Sequence, residues 1–479
     1  MSIFYCFTAR IKNFMLGFTS ATAAPLSYSR HKQQRSRWLS QLTQLIAFPT
    51  ISAQPKHYRD IRACAQWLAR HLAELGLHHV QILPGIRGSL PSVYGDWLSA
   101  PGKPTLLLYG HYDVQPVDPL PAWQTPPFQA TIIGDNLYAR GASDDKGQFF
   151  IHLKAIESYL RTTGKLPLNI KVWLEGEEEI GSPNLATVLK REMARFKADA
   201  VLVSDTEMLE RDRPSIIYGL RGNLSCELAV TGPQHDLHSG RYGGAVLNPL
   251  QALSDIISGL HDRKGRVAIP GFYQQVKQLP PTERQTIRCC CKRDQQILDD
   301  LDLSTGWGEP GYSLYERMTI RPALTINGIT GGYTGAGSKS VIPNRGLARF
   351  SIRLVPDQDP AQIAQLIQHH IQTLTHPAVR SHLKITSGAR PVLLPKDHPV
   401  MTAAVKAVKQ TWGVAPVFTR SGGTIPLVEQ LYRQLGVAIV LLGFGLPDDN
   451  VHAPNEKFSL ANFFRGIETV IQFLAEYGK

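Results

Sequence analysis

The stretch TLLLYGHYD, residues 105–113, decides the fold, because an apolar run typical of a buried strand ends there in a histidine and an aspartate. Other apolar runs along the chain end in the same way. LNIKVWL leads into the acidic segment 175–179, AVLVS into Asp205, and VAIVLLG precedes His452. In open α/β sheets, ligands bind just beyond the carboxyl ends of the strands. The sequence therefore predicts an α/β sheet with a ligand site at one edge.

These clusters supply nitrogen and oxygen ligands, with two histidines, several carboxylates and no cysteine. Asp144 adds a further carboxylate in GASDDKG, residues 141–147, just before a run with a helical pattern. Such a donor set suits zinc, cobalt or manganese. A metal-dependent hydrolase is the leading interpretation of this pattern.

Each cluster also has a simpler explanation. His111 and Asp113 lie two residues apart at a strand end and point to one side, so the aspartate can orient the imidazole, but a surface pair has the same spacing. Helix capping explains Asp144, and a solvated loop explains residues 177–179. Crowded carboxylates raise one another's pKa unless a cation compensates. The conjunction of clusters in one sheet favours the metal site.

The length of 479 residues exceeds what one hydrophobic core usually supports, which predicts two domains. Helices alternate with strands up to about residue 218 and again from about residue 390, as in a helix-covered, mixed or mostly parallel sheet. The intervening pattern lacks this alternation and predicts an inserted α+β domain. We therefore expect a discontinuous catalytic domain of residues 30–218 and 390–479, an insert of residues 219–389, and a leader or disordered extension at residues 1–29.

Composition narrows the function classes. The net charge is +12, but the basic residues are spread along the chain without the clustered footprint of a nucleic-acid-binding protein. Apolar runs of about 18 residues, which a spanning helix needs, are missing, so no membrane partner is expected. The cysteine spacing makes a poor disulfide framework, which favours a reducing, cytoplasmic location. The acid-free start leaves organelle import or export open. The polar segment 284–300 is expected to be a solvated surface stretch.

The segments HYD, GASDDKG, EGEEEIGS, VLVSDTEM and VHAPNEK resemble, in this order, the motifs of the zinc aminoacylase/dipeptidase family of metallopeptidases. The chain is most similar to the carnosinase-like, cytosolic non-specific dipeptidases, from about residue 35 to the end. The resemblance implies a catalytic domain with an inserted lid and dimerisation domain, and two divalent metal ions per subunit, zinc first, with manganese or cobalt as alternatives. By resemblance, one ion is held by His111 and Asp205, the other by Glu179 and His452, and Asp144 bridges them.

The resemblance also implies roles beyond the ligands. Asp113 would lie behind the metal ligands and Glu178 would be the general base. His238, in the segment HDLHSG, would stabilise the oxyanion in the neighbouring subunit of a homodimer; the alternative is a loop histidine that caps local structure.

Substrate-binding candidates follow from chemistry and resemblance together. The planar guanidinium of Arg353 suits a bidentate pair with a terminal carboxylate, although a surface-paired strand arginine is the simpler alternative. A Gly-rich loop offers amides and hydroxyls for the same carboxylate; its residues are Ser421, Gly422, Gly423 and Thr424.

The first functional hypothesis is a dizinc peptidase that cleaves the peptide bond of short peptides, most of all dipeptides. An amidohydrolase acting on N-acyl amino acids uses the same metals and stays open. A third hypothesis is an inactive relative that serves as a binding protein. Loss of a ligand or of the base would mark such a relative, and every one of these positions is filled.

Overall fold

The computed structural model describes residues 20–85 and 88–479. This part of the chain forms two compact units. The first contains the described residues up to Tyr218 together with Leu394–Phe418 and Gln430–Lys479. The second contains Gly219–Leu393 and Thr419–Glu429.

The helices of the described residues are numbered in chain order. They are α1 Ser20–Arg30, α2 Lys32–Ile46, α3 Tyr58–Leu75, α4 Lys146–Thr163, α5 Leu185–Arg191, α6 Met193–Phe196, α7 Ser239–Tyr242, α8 Pro249–Ser258, α9 Pro281–Cys290, α10 Asp294–Asp300, α11 Leu314–Thr319, α12 Pro360–Leu374, α13 Pro399–Trp412, α14 Pro426–Leu435 and α15 Leu460–Tyr477. None of these helices combines the length and the apolar character that crossing a bilayer requires.

The strands follow the same convention. They are β1 His78–Leu83, β2 Ser92–Trp97, β3 Thr105–His111, β4 Thr131–Ile133, β5 Asn136–Tyr138, β6 Asn169–Glu175, β7 Ala200–Val203, β8 Ser215–Leu220, β9 Gly222–Thr231, β10 Leu237–His238, β11 Ala323–Gly331, β12 Val341–Ile342, β13 Arg345–Leu354, β14 Arg380–Ala389, β15 Val392–Leu393, β16 Val417–Ser421, β17 Ala438–Leu441 and β18 Lys457–Ser459.

The first unit is built on a mixed sheet that runs in the order β1-β2-β6-β3-β7-β17-β8. Its centre, from β6 through β3 and β7 to β17, is parallel, and the strands on both sides of this centre are antiparallel. The central strands are buried, as their continuous apolar sequences predict. Helices α3 and α4 pack on the sheet, and α4 also packs on α15. The predicted helix-covered, mixed or mostly parallel sheet is confirmed.

Helix ends in this unit follow local sequence rules. Helix α3 carries an apolar stripe of buried residues and ends at Gly76, whose φ of 96° is the left-handed conformation that glycine adopts without strain. Ser459 precedes α15, and its side chain accepts a hydrogen bond from the Asn462 amide.

The second unit is an α+β structure. An antiparallel sheet runs in the order β11-β13-β9-β14, and α8 and α12 pack on it. Burial alternates along β9 and β13, so one face of the sheet forms a core with the two helices. Such a core is what the mixed strand and helix pattern of this region predicts.

Some boundaries differ from the sequence expectations. Residues 1–19 of the proposed extension lie outside the described part, whereas residues 20–29 belong to α1, in which Leu26 is buried. The stretch 284–300 is mostly exposed, as expected of a surface segment, but it is largely helical, in α9 and α10, and Ile287 and Ile297 are buried in these helices. Residues 419–429 group with the second unit rather than with the catalytic unit.

Candidate metal centre

Parallel strands bring three of the predicted site segments to one edge of the sheet. His111 is the last residue of β3, Asp205 lies two residues beyond β7, and a 3-10 turn, Glu178–Ile180, follows β6. Because β3 lies between β6 and β7 and runs parallel to both, their carboxyl ends meet at this edge. The strand-end pattern of the sequence therefore corresponds to a real convergence in space.

Asp144 and His452 complete the cluster from two loops. Asp144 lies just before α4, in a cis peptide bond with Asp145, and its Oδ1 is 3.0 Å from His111 Nε2. Its Oδ2 is 2.8 Å from His452 Nε2. His452 Nε2 also lies 3.3 Å from Glu179 Oε2, and His111 Nε2 lies 3.7 Å from Asp205 Oδ2. The structure thus brings all five predicted ligand residues together.

The His111 ring is held so that one nitrogen faces the cluster. Its Nδ1 donates a hydrogen bond to the main-chain oxygen of Asp113 at 3.1 Å, which leaves Nε2 as the atom with the lone pair. Nε2 is buried and faces the carboxylates of Asp144, at 3.0 Å, and Asp205, at 3.7 Å, but it forms no hydrogen bond of good geometry with any described residue. An unsatisfied, inward-facing imidazole nitrogen is what a metal ligand requires.

Asp113 acts differently from the sequence expectation. Its carboxylate lies 3.5 Å from His111 Nδ1, while the main-chain oxygen accepts the closer hydrogen bond. The two carboxylate oxygens instead accept hydrogen bonds from the backbone amides of Glu178, at 3.1 Å, and Glu179, at 3.0 Å. Asp113 therefore connects the strand end that carries His111 to the turn that carries the two glutamates.

The clustered carboxylates shift one another's pKa values and those of the histidines. Burial raises the pKa of Glu178, and the neighbouring carboxylates of Asp205, Glu179 and Asp144 raise it further. Burial and Asp144 raise the pKa of Glu179 to about 7. The Asp144 and Glu179 carboxylates raise the pKa of His452 to about 10. So many carboxylates in one partly buried place repel one another unless positive charge is bound among them.

The donor set fits divalent metal ions. His111, Asp144 and Glu179 each present a ligand atom, and these atoms lie within 4.8 Å of one another. The donors are imidazole nitrogen and carboxylate oxygen, which bind zinc, manganese and cobalt. The residues therefore fit a metal centre, both by chemistry and by the unsatisfied nitrogen of His111.

Three residues that the sequence reasoning did not assign also hold the centre. Gln115 Nε2 donates to Glu179 Oε2 at 2.8 Å, and Asp145 Oδ2 accepts from the His111 amide at 3.1 Å. Glu456 Oε1 accepts a hydrogen bond from the Asp144 amide at 3.0 Å. Gln115 continues the every-second-residue spacing of His111 and Asp113, which was a usable signal. The sequence carries no comparable signal for Asp145 and Glu456, whose roles depend on loop geometry.

His238 lies in the second unit, at the end of β10 and next to α7. It is exposed, and its Nδ1 accepts a hydrogen bond from the Gly240 amide at 3.0 Å. This is the local capping contact that was the alternative interpretation. In the neutral ring an accepting Nδ1 places the proton on Nε2, so Nε2 is a donor.

Arg353 and the Gly-rich loop lie together in the second unit. Arg353 Nη1 donates to Thr424 Oγ1 at 2.8 Å, and Thr424 Oγ1 donates to the main-chain oxygen of Arg221 at 2.7 Å. Arg221 Nε donates to the Gly422 oxygen at 3.0 Å, and the Gly423 amide donates to Ser421 Oγ at 3.1 Å.

Two guanidinium groups, those of Arg221 and Arg353, contact this loop. Burial and the positive charge of Arg353 lower the pKa of Arg221 to about 10. Within the described residues, no carboxylate forms an ion pair with Arg353, unlike its strand neighbour Arg349, which pairs with Glu227. A guanidinium beside hydroxyls and loop amides can bind a carboxylate.

Comparison with known proteins decides the family. The model of Peptidase family M20/M25/M40 matches residues 107–476. The chain belongs to this family. The predicted membership of a zinc aminoacylase/dipeptidase family is thereby confirmed. Like other M20 peptidases it is a metal-dependent hydrolase.

Relatives of this M20 peptidase cover nearly its whole length. The Cys-Gly metallodipeptidase DUG1 of Candida albicans is 33% identical over 466 residues, 94% of this chain and 96% of the relative. The Beta-Ala-His dipeptidase of Homo sapiens is 29% identical over 457 residues, 92% of this chain and 90% of the relative. The predicted metallodipeptidase type is confirmed by these relatives, and nothing in them favours the N-acyl amidohydrolase.

Solved structures give the same result for the fold of the M20 peptidase. The dipeptidase Dug1p from Saccharomyces cerevisiae matches with a TM-score of 0.82 and 28% identity, covering 96% of this chain and 99% of that chain. The M20 family metallo-carboxypeptidase Sso-CP2 from Sulfolobus solfataricus matches with a TM-score of 0.81 and 34% identity, covering 92% and 99%.

Proposed function

We propose that this M20 peptidase hydrolyses the peptide bond of dipeptides at a centre of two divalent metal ions, with zinc as the first choice. One observation carries the proposal. The two carboxylate oxygens of Asp144 are divided between two histidines, with Oδ1 at 3.0 Å from His111 Nε2 and Oδ2 at 2.8 Å from His452 Nε2. A carboxylate in this position can bridge two cations, one on the side of each histidine.

The remaining ligands separate in the same way. His111 and Asp205 form one group, 3.7 Å apart, and His452 and Glu179 form the other, 3.3 Å apart. Each group with Asp144 offers an imidazole and two carboxylates, and these residues would hold one ion each. When bound, a pair of divalent cations supplies a Lewis acid that activates water and polarises the scissile carbonyl.

Glu178 is the proposed general base. Its backbone is fixed by Asp113, and its side chain lies next to the ligand Glu179 without being assigned to a metal. A carboxylate in this place takes a proton from the attacking water and passes it to the leaving amine. Burial raises its pKa, which makes it a stronger proton acceptor than an exposed glutamate.

A candidate binding place for a free C-terminal carboxylate supports this substrate class. In the second unit, Arg353 and the loop Ser421–Thr424 offer donors to a free C-terminal carboxylate. The names of the relatives, Cys-Gly metallodipeptidase and Beta-Ala-His dipeptidase, also describe enzymes for unblocked dipeptides. We therefore assign Arg353 and this loop to carboxylate binding.

We further propose that the chain works in the cytoplasm as a homodimer joined through its inserted domain of residues 219–389, with the catalytic domain in residues 30–218 and 390–479. His238 then serves the neighbouring subunit. Because its Nδ1 accepts from the Gly240 amide, its Nε2–H is the donor that can stabilise the oxyanion formed on the substrate carbonyl. Sedimentation that shows only monomer in an active preparation would remove this role.

The test is a substrate panel combined with metal analysis. Free dipeptides are compared with N-acetyl and N-succinyl amino acids, before and after chelation and again after adding zinc, manganese or cobalt. We expect hydrolysis of free dipeptides, loss on chelation and recovery with metal. Preference for the acylated compounds would reject the dipeptidase and support the amidohydrolase.

A further inference from the structure

Glu456 makes a dense set of contacts beside the metal centre. Its side chain is fully buried, and each oxygen accepts two hydrogen bonds. Oε1 accepts from the amides of Ser143, at 2.9 Å, and Asp144, at 3.0 Å. Oε2 accepts from the amide of Gly141 at 2.9 Å and from Arg140 Nη1 at 2.8 Å.

These contacts connect the two loops that carry metal ligands. Asp144 belongs to the loop before α4, and His452 lies four residues before Glu456 in the loop before β18. The Glu456 side chain therefore ties the backbone of Asp144, the proposed bridging ligand, to the segment that carries His452. Two further contacts join the same loops: Asp449 Oδ2 accepts a hydrogen bond from Ser143 Oγ at 3.0 Å, and the Glu456 main-chain oxygen accepts one from the Ala139 amide at 3.0 Å.

Arg140 holds the Oε2 atom of Glu456 and is itself held by other groups. Its Nη2 donates to the main-chain oxygen of Pro116 at 3.0 Å, and its guanidinium lies 5.3 Å from the centroid of the Trp123 ring. The buried charge of Glu456 is thus paired and fully hydrogen-bonded, as a buried carboxylate must be.

We infer that Glu456 is a positioning residue for the dinuclear centre, which sets the place of Asp144 between the two histidines and so controls how tightly the second cation is held. This inference rests on the proposed two-metal function. Residues behind metal ligands of this kind typically change metal affinity by about 10–100-fold when they are replaced.

The test is Glu456→Gln in the full chain. The glutamine keeps the size of the side chain, but its amide NH₂ must face either the amides of Ser143 and Asp144 or the donors of Gly141 and Arg140. We expect the affinity for the second zinc ion to fall by about 10–100-fold, measured by calorimetric titration of chelator-stripped protein and by the visible spectrum with cobalt. The kcat should fall while KM for a dipeptide changes little.

The matched control is Asp448→Asn, which removes a neighbouring acid that is 74% exposed and pairs with Lys457. It should bind two zinc ions as the unchanged protein does. If Glu456→Gln does not fold, Glu456→Asp keeps the charge and moves the oxygens by one methylene, and it should show the same selective loss.

The outcomes separate the two proposals. If the unchanged protein binds fewer than two ions, the proposed function fails. If the unchanged protein and Glu456→Gln, or Glu456→Asp in its place, bind two zinc ions with equal affinity, the positioning role alone is overturned, even when the melting temperature of the stripped variant falls.

Discussion

The carboxylate of Asp113 accepts a hydrogen bond from the backbone amide of Glu179 at 3.0 Å. Asp113, just after β3, therefore holds the backbone of Glu179, a proposed metal ligand that follows β6. The second oxygen of Asp113 accepts the amide of Glu178 at 3.1 Å. The carboxylate of Asp113 therefore holds the turn of Glu178 and Glu179 through two hydrogen bonds, whereas it lies 3.5 Å from the His111 ring.

Replacement of Asp113 by Asn tests this role. Asparagine has one acceptor oxygen, so its NH₂ group meets one of the two amides and the turn shifts. We expect kcat for a dipeptide to fall by about 10–100-fold with a partial loss of metal affinity, as for other residues behind metal ligands. Asp135→Asn, at an exposed position, is the control and should keep full activity. Unchanged kinetics in Asp113→Asn would show that the two hydrogen bonds do not matter.

The variant Glu178→Gln tests whether Glu178 acts as the general base or as a metal ligand. The variant cannot take a proton, and general-base catalysis contributes about 10²–10⁴-fold to rate, so kcat should fall by at least that much. The metal content, measured by mass spectrometry after dialysis, should stay the same, because Glu178 is not assigned to an ion. Retained hydrolysis would remove Glu178 from its role, and loss of metal would make it a ligand.

Arg353→Met addresses carboxylate recognition. A hydrogen bond to a charged group contributes about 1.5–3 kcal/mol, so KM for a dipeptide should rise by about 10–100-fold, with a smaller effect on kcat. Arg349→Met is a matched control on the same strand, since Arg349 is 66% exposed and pairs with Glu227. Dipeptide amides, which lack the free carboxylate, should be poor substrates of the unchanged protein. Their kcat/KM should fall little further in Arg353→Met. Equal KM values for both arginine variants would place carboxylate binding elsewhere.

His152 gives the stability of the protein a pH dependence. It is buried, its Nε2–H donates to Ser204 Oγ at 2.7 Å, and Ser204 in turn donates to the Leu442 oxygen at 2.7 Å. Burial lowers the pKa of His152 to about 3. The unfolded histidine takes a proton below a pH of about 6.5, whereas the folded one does so only near its lowered pKa. The contribution to the free energy of unfolding is therefore complete above pH 6.5 and is lost as the pH falls toward 3.

His152→Gln checks this contribution in urea unfolding of the chelator-stripped protein. Between pH 6 and pH 4, the slope of unfolding free energy against pH should become shallower by up to about 1.4 kcal/mol per pH unit. The variant His382→Gln, at an exposed strand position, should leave the slope unchanged. An identical slope in all three proteins would show that His152 is protonated equally in both states.

The part of the site that lies at strand ends could be predicted from the sequence. His111 and Asp205 follow apolar runs that form parallel strands, so their meeting at one edge follows from topology. Glu456 could not be assigned, because its partners are backbone amides of a loop more than 300 residues away in the sequence. The helices within residues 281–300 were missed for a related reason, since they are held by tertiary contacts such as the ion pair of Arg284 with Glu316.

The most direct measurement is the number of zinc ions bound per chain, obtained by calorimetric titration of the chelator-stripped protein and of Asp144→Asn. If Asp144 bridges two ions, the unchanged protein binds two per chain and regains dipeptide hydrolysis as they bind, while Asp144→Asn loses tight binding of at least one ion and loses activity. A stoichiometry of one, or two tightly held ions in Asp144→Asn, would contradict the dinuclear centre.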